Sequence, residues 1–230
     1  MSDLSFIVQF YAYTLPFLSF IFSCYILNYS YPIIIDKLED NTPNFKNCDI
    51  VRKHYVVKNL IKAVYLCFLA LAGLPFFALS FTGYFPNNPI KILASLYCSN
   101  DCVGLYKVEK LPTSTRLHHL VTSVFLIASY TVDFQTSRVA QMLFYYTYFS
   151  ACTFCVNAYL GLRYCYDYSE IQDYHYLSKH IYATACCLNW IVQFYMIGVT
   201  VYDFAYCGLL IFIVYDDIVL LNWLWKQHDL

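Results

Sequence analysis

Residues 99–123, SNDCVGLYKVEKLPTSTRLHHLVTS, put Asn100 and Asp101 near the end of one apolar segment and His118 and His119 just inside the next. A short basic loop with Lys107, Lys110 and Arg116 separates the two. Ionisable side chains at membrane depth are costly, so such a hairpin marks a working site whose partners lie close by.

The rest of the composition supports reading these segments as membrane spans. Of 230 residues, 60% are hydrophobic, 20% aromatic and only 13% charged, and the mean hydropathy is +0.50. These values lie outside ordinary soluble usage and predict an integral membrane protein. The formal net charge of -1 and the scattering of Lys and Arg through short loops leave no basic tail, so no nucleic-acid partner is implied. The 11 Cys are spread along apolar segments, and the single C-x-x-C, Cys152 to Cys155, falls inside one. They read as small buried residues rather than as a disulfide framework or a metal site, and no metal is expected.

The expected fold is all-α, a polytopic helix bundle of about seven spans at residues 6–28, 56–81, 90–106, 117–132, 139–162, 180–199 and 204–225. The first reads as a span kinked at Pro16 rather than as a cleaved signal, because no basic segment precedes it. Residues 29–53, with Pro32 and Pro43, read as the longest loop, and residues 163–179 as a polar connection. Pro112 and the following Thr113, Ser114 and Thr115 supply a helix start before the histidines. One structural unit is expected, divided into a first helix with its loop (1–53) and a six-helix membrane domain (54–230).

Basic residues orient this bundle. With the N-terminus outside or lumenal and the C-terminus cytosolic, twelve of the 14 Lys and Arg fall on the cytosolic side, leaving only Lys91 and Arg138 outside. Asp101 then lies about 9 Å and His119 about 4.5 Å below the cytosolic edge, counting 1.5 Å per helical residue. Ser150 and Asn157 belong to a polar stripe in the fifth expected span, His180 opens the sixth, and Asp216 and Asp217 lie in the cytosolic half of the seventh. Together with Asn100 they are candidates to line a polar cavity open to the cytosol.

The histidine pair suggests proton or acyl transfer. Thr122 is four residues from His118 and three from His119, so both rings border one hydroxyl although adjacent helical residues point about 100° apart. A first helical turn favours the neutral ring, which a general base or acyl-accepting nucleophile requires. Asp101, placed against the other ring nitrogen, would fix the tautomer. The competing structural reading is that the histidines meet headgroups at the interface and that Asp101 pairs with a lysine to hold two helices together.

Asn100 and Asp101, the loop ending L-P-T-S-T-R-L at Leu117, and H-H-x-x-T at His118, His119 and Thr122 resemble the TLC domain family. Asn157, Leu160, Leu162 and Arg163 resemble a later segment of that family, as do Leu221, Asn222 and Trp223. The resemblance covers residues 54–230 and is nearest to the small stand-alone TLC-domain proteins, of which large DNA viruses also carry members. It implies a lipid function in the endoplasmic reticulum or a host-cell endomembrane. The ceramide-synthase branch implies N-acylation of a sphingoid base by acyl-CoA, with no resident cofactor. His118, His119, Asp101 and Thr122 would form the catalytic group. Unlike that branch, the chain has no L-H-D-x-x-D after the histidines and reads FSACTFCVNAYLGLRY in the corresponding region. The alternative is a non-catalytic protein that binds, senses or transports membrane lipids.

Other histidine or retinal chemistries do not fit. Histidines at 54, 118, 119, 175, 180 and 228 cannot form the repeated histidine boxes of a membrane di-iron oxygenase. A retinal Schiff base would need a lysine deep in the last span, where only Lys226 stands, at its end.

Overall fold

The computed structural model describes residues 2–227, with side chains from residue 14 onward. Among the described residues there are nine helices: α1 Ser2–Asn41, α2 Pro43–Lys46, α3 Ile50–Ser80, α4 Asn87–Lys107, α5 Thr113–Thr131, α6 Arg138–Ala151, α7 Phe154–Leu162, α8 Tyr168–Met196 and α9 Val201–Lys226. The expected all-helical class is therefore observed. Three helices are long and apolar enough to cross a membrane: residues 14–41 of α1, α3 and α9. Large apolar side chains face outward along the bundle, Phe22, Val64, Phe194 and Tyr195 among them, as expected of an integral membrane protein whose outer surface meets lipid.

Several boundaries differ from the sequence expectation. The segment 29–53 is not one loop, because α1 continues through Pro16 and Pro32 to Asn41. Leu27, Tyr31 and Ile35 recur every four residues and are buried together against Val56, Val57 and Val103, so packing offsets the backbone hydrogen bond that Pro32 cannot make. The polar segment 163–179 is helical from Tyr168, nucleated by a capping box in which Asp167 and Glu170 each satisfy the other's backbone. The division at residues 53 and 54 falls inside α3, which runs without a break from its Asp49 cap.

The fifth expected span is two helices. α6 ends at Ala151 and α7 begins at Phe154, and Thr153 turns its hydroxyl back onto the Ser150 carbonyl at 2.7 Å. Irregular backbone at membrane depth is tolerated where it lines a polar cavity, and both Ser150 and Thr153 do so.

α3 is the hub of the bundle, packing on α1, α4, α6 and α7. α5 lies between α4 and α9, and α8 closes against α6, α7 and α9. Gly161 of α7 sits so close to α3 that a Cβ there would stand 2.7 Å from Leu60 and 3.3 Å from the Val56 carbonyl. At one end, Asn87 donates to Asp133 at 2.6 Å and accepts from the Phe134 amide, while Gln135 spans to Gly83 and Phe85. These bonds latch the turn after α3 to the turn after α5. The opposite end holds the starts of α3 and α5 and the ends of α7 and α9, and the polar cavity lies towards it.

Candidate functional site

α3, α4 and α5 meet at a buried ion cluster. Asp101 of α4 has no solvent exposure, and its Oδ1 accepts from Lys62 Nζ of α3 at 2.5 Å. Its Oδ2 lies 3.2 Å from His119 Nδ1 and 3.4 Å from the Thr122 hydroxyl. Both sequence readings of Asp101 are thus realised in one side chain: it backs a histidine and also ties two helices together through a lysine. Thr122 also donates to the His119 carbonyl at 3.0 Å, so its hydroxyl serves the carboxylate and the backbone rather than a ring.

His118, turned to the other side of α5, meets α9. Its Nδ1 lies 3.2 Å from Asp216 Oδ2, and Thr115 donates to Asp216 Oδ1 at 3.1 Å. The two imidazoles stand 5.5 Å apart, nearly perpendicular. Each has a carboxylate at Nδ1, at ion-pair distance but off the hydrogen-bond line, and among the described residues neither Nε2 has a partner. Buried ring nitrogens without partners are uncommon and call for an explanation. Asp217 differs from Asp216 in being fully engaged, accepting from the Tyr146 hydroxyl at 2.8 Å and the Tyr182 hydroxyl at 2.9 Å.

These groups border a cavity of about 270 Å³. His118, His119, Ser150, Asn157, Asp216 and Asp217 line it, as do Lys58, Lys62, Arg163, Tyr55, Tyr182 and Trp223. Asn100 and His180, expected at the cavity, are elsewhere. Asn100 is buried in α4 outside this lining, and His180 packs between Tyr176 and Trp225. A smaller apolar cavity of about 50 Å³ lies between α3, α4, α5 and α6, bordered by Thr122, Leu126, Phe125 and Ile213. Tyr97 borders both cavities and stands between them.

Lys58, Lys62, Tyr182 and Arg163 are site residues that the chemistry-led reading of the sequence passed over. Lys58 and Lys62 are one helical turn apart and both buried, an arrangement that a lipid-facing helix would avoid and that points inward. That spacing is the available signal: both lysines stand at the start of the second expected span, where they also count among the cytosolic-side charges.

Asp101, His118 and His119 each offer a donor atom within 4.8 Å of the other two, so they are also the residues that could hold a metal ion. Lys62 already neutralises Asp101, which makes that carboxylate a poorer ligand. The arrangement is better suited to moving a proton: a carboxylate near the Nδ1 of each ring, an Nε2 without a hydrogen-bond partner among the described residues, and a cavity that both histidines line.

No protein-family model, curated protein or solved structure matches the chain. Function must therefore be argued from the site itself.

Proposed function

We propose that this is a TLC-type, lipid-handling membrane protein whose cavity transfers an acyl group from an acyl thioester to an amine or hydroxyl of a lipid. The observation that carries the reading is the pair of buried imidazoles with unpartnered Nε2 atoms, each with a carboxylate at Nδ1, facing one cavity. In this mechanism the acceptor's N–H or O–H gives its proton to a histidine Nε2 as its heteroatom attacks the thioester carbonyl. Asp101 or Asp216 stabilises the imidazolium that forms. Collapse of the tetrahedral intermediate breaks the C–S bond, and the imidazolium returns the proton to the departing thiolate. His119 is the more firmly positioned base, because its carboxylate is wholly buried and held by Lys62 and Thr122. His118 acts as the second base or as transient acyl acceptor.

Acyl-CoA and a sphingoid base are the donor and acceptor that the TLC resemblance suggests. Seven spans with a lumenal N-terminus and a cytosolic C-terminus give the cavity a cytosolic mouth, where a water-soluble thioester arrives. The endoplasmic reticulum or a host endomembrane suits both substrates.

The test is lipidomics on ceramide-synthase-deficient cells expressing the parent or the His118→Ala, His119→Ala double variant at matched membrane levels. The parent should restore ceramides and the variant should not. No acylated lipid from the parent, or the same lipid shift from both proteins, would replace acyl transfer with non-catalytic lipid handling.

A further inference from the structure

The histidines and the carboxylates that line the cavity come from α5 and α9, whereas the part formed by α3 and α7 holds Tyr55, Lys58, Asn59 and Arg163, with Trp223 of α9 stacked on the guanidinium. Among the described residues, neither cation of that part has a carboxylate partner.

Lys58 is only 4% exposed and lines the cavity, yet it makes no hydrogen bond or ion pair with a described residue. Its stem packs over Gly104 of α4, where a Cβ would come within 3.3 Å of Cε, so the ammonium group has little freedom to withdraw. Lys62, one turn deeper, is matched by Asp101. Lys58 therefore sits one turn from that ion pair, buried at the cavity wall with no hydrogen-bonded or ion-paired partner among the described residues. A cation in that situation is costly until an anion joins it.

Arg163 is held for the same task. Its guanidinium lies 4.4 Å from the Trp223 ring centre and 4.7 Å from that of Tyr164, and it donates to the Tyr164 hydroxyl at 3.1 Å. Its buried Nε has no partner. Aromatic stacking fixes the plane of the fork but leaves N–H donors unspent, as in sites that take phosphate. Tyr55 joins the two cations: it lies one turn before Lys58 on α3, and its ring centre is 5.8 Å from the guanidinium.

We propose that Lys58 and Arg163 form a phosphate subsite, so that the cavity takes a ligand carrying a phosphate group at its open end and presents the rest of that ligand to His118 and His119. It rests on the reading of the cavity as a lipid-handling site but requires no reaction there. The phosphate could belong to a phospholipid headgroup or to the soluble carrier of an acyl thioester.

The experiment uses the full chain in maltoside detergent, which has no phosphate, and follows Trp fluorescence as the Arg163-stacked Trp223 responds. The probes are dihexanoyl phosphatidic acid, coenzyme A and, as the phosphate-free control, dihexanoylglycerol. At least one phosphate probe should bind, with Lys58→Gln and Arg163→Gln each weakening it at least about tenfold, the usual worth of a charge-assisted contact. Arg163→Lys, which keeps the charge without the fork, should lie between them and the parent. Binding of dihexanoylglycerol should not change. Tighter phosphatidic acid assigns the subsite to a headgroup, and tighter coenzyme A to a soluble carrier. Binding of the phosphate probes is read with no acyl donor present and no turnover, so a failure of acyl transfer leaves this result intact. Phosphate probes that bind no better than dihexanoylglycerol, or that bind equally to parent, Lys58→Gln and Arg163→Gln proteins, would overturn the subsite.

Discussion

Asp101 carries three duties with two oxygens: Lys62 on one, His119 and Thr122 on the other. Replacing it by Asn keeps the size but leaves Lys62 as a buried cation without a counter-charge. The expected cost is about 3–5 kcal/mol, the penalty of breaking rather than replacing a buried pair. Thermal unfolding in detergent should show this loss for Asp101→Asn. It should show a smaller one for Asp216→Asn, because no lysine is ion-paired to Asp216 and Thr115 can still donate to an amide oxygen. Equal stability of the two variants would contradict the central place given to the Lys62 pair. At this scale the sequence was informative about the residues and less so about their pairing. Both histidines, Asp101 and the later acidic pair stood out as membrane-depth polar groups, but which carboxylate served which ring depended on the facing of α5 towards α4 and α9. Nothing in a linear spacing specifies that.

Among the elements, the α6–α7 break and the α3–α7 crossing shape the cavity. Gly161→Ala would place a methyl group 2.7 Å from Leu60 and 3.3 Å from the Val56 carbonyl, so α7 must move off α3. An overpacking cost of about 1–3 kcal/mol is expected, together with weaker binding at Arg163 two residues on; denaturant unfolding checks the first and Trp fluorescence the second. The latch at the other end gives a pH signature. Asn87, then the Gln135 amide and the Thr136 hydroxyl, bond the exposed Asp133 carboxylate and hold its pKa below the ordinary aspartate value. A lowered folded pKa stabilises the folded state above the unfolded value, near pH 4, and that contribution is lost as pH falls through the folded value. Hydrogen exchange at residues 132–137 should therefore quicken on acidification below about pH 4 in the parent, with Asp133→Asn showing no such step. Element boundaries were the part least legible in sequence. Pro32 reads as a loop signal in the sequence, whereas the Leu27, Tyr31 and Ile35 stripe continues the helix, and the Ser150 to Thr153 turn has no Gly or Pro to announce it.

For the whole molecule, three of the described helices are apolar enough to span on their own, while α4, α5 and α8 are not, and buried polar groups lie on α3 and α9 as well as on α4, α5 and α8. The all-helical class was readable from composition, but the number of spans depends on where those mixed helices sit. The seven-span proposal makes a direct prediction: the loops at residues 108–112 and 132–137 lie on opposite sides of the membrane. Single cysteines introduced at Lys110 and Thr136 in a background freed of reactive native thiols should label from opposite faces of sealed vesicles. Labelling of both from one face would remove α5 as a span and with it the cytosolic mouth.

The central claim is that a histidine Nε2 in this cavity drives acyl transfer. Its most direct test is the purified protein in nanodiscs, supplied with an acyl-CoA and a sphingoid base, with thiol release and amide formation followed together. The parent should release thiol in step with amide, and His119→Ala should lose at least about 100-fold of that rate, the usual contribution of a positioned base. Amide formation that continues unchanged in His119→Ala and in the double histidine variant, or its absence from a parent that still binds the thioester, would contradict the claim.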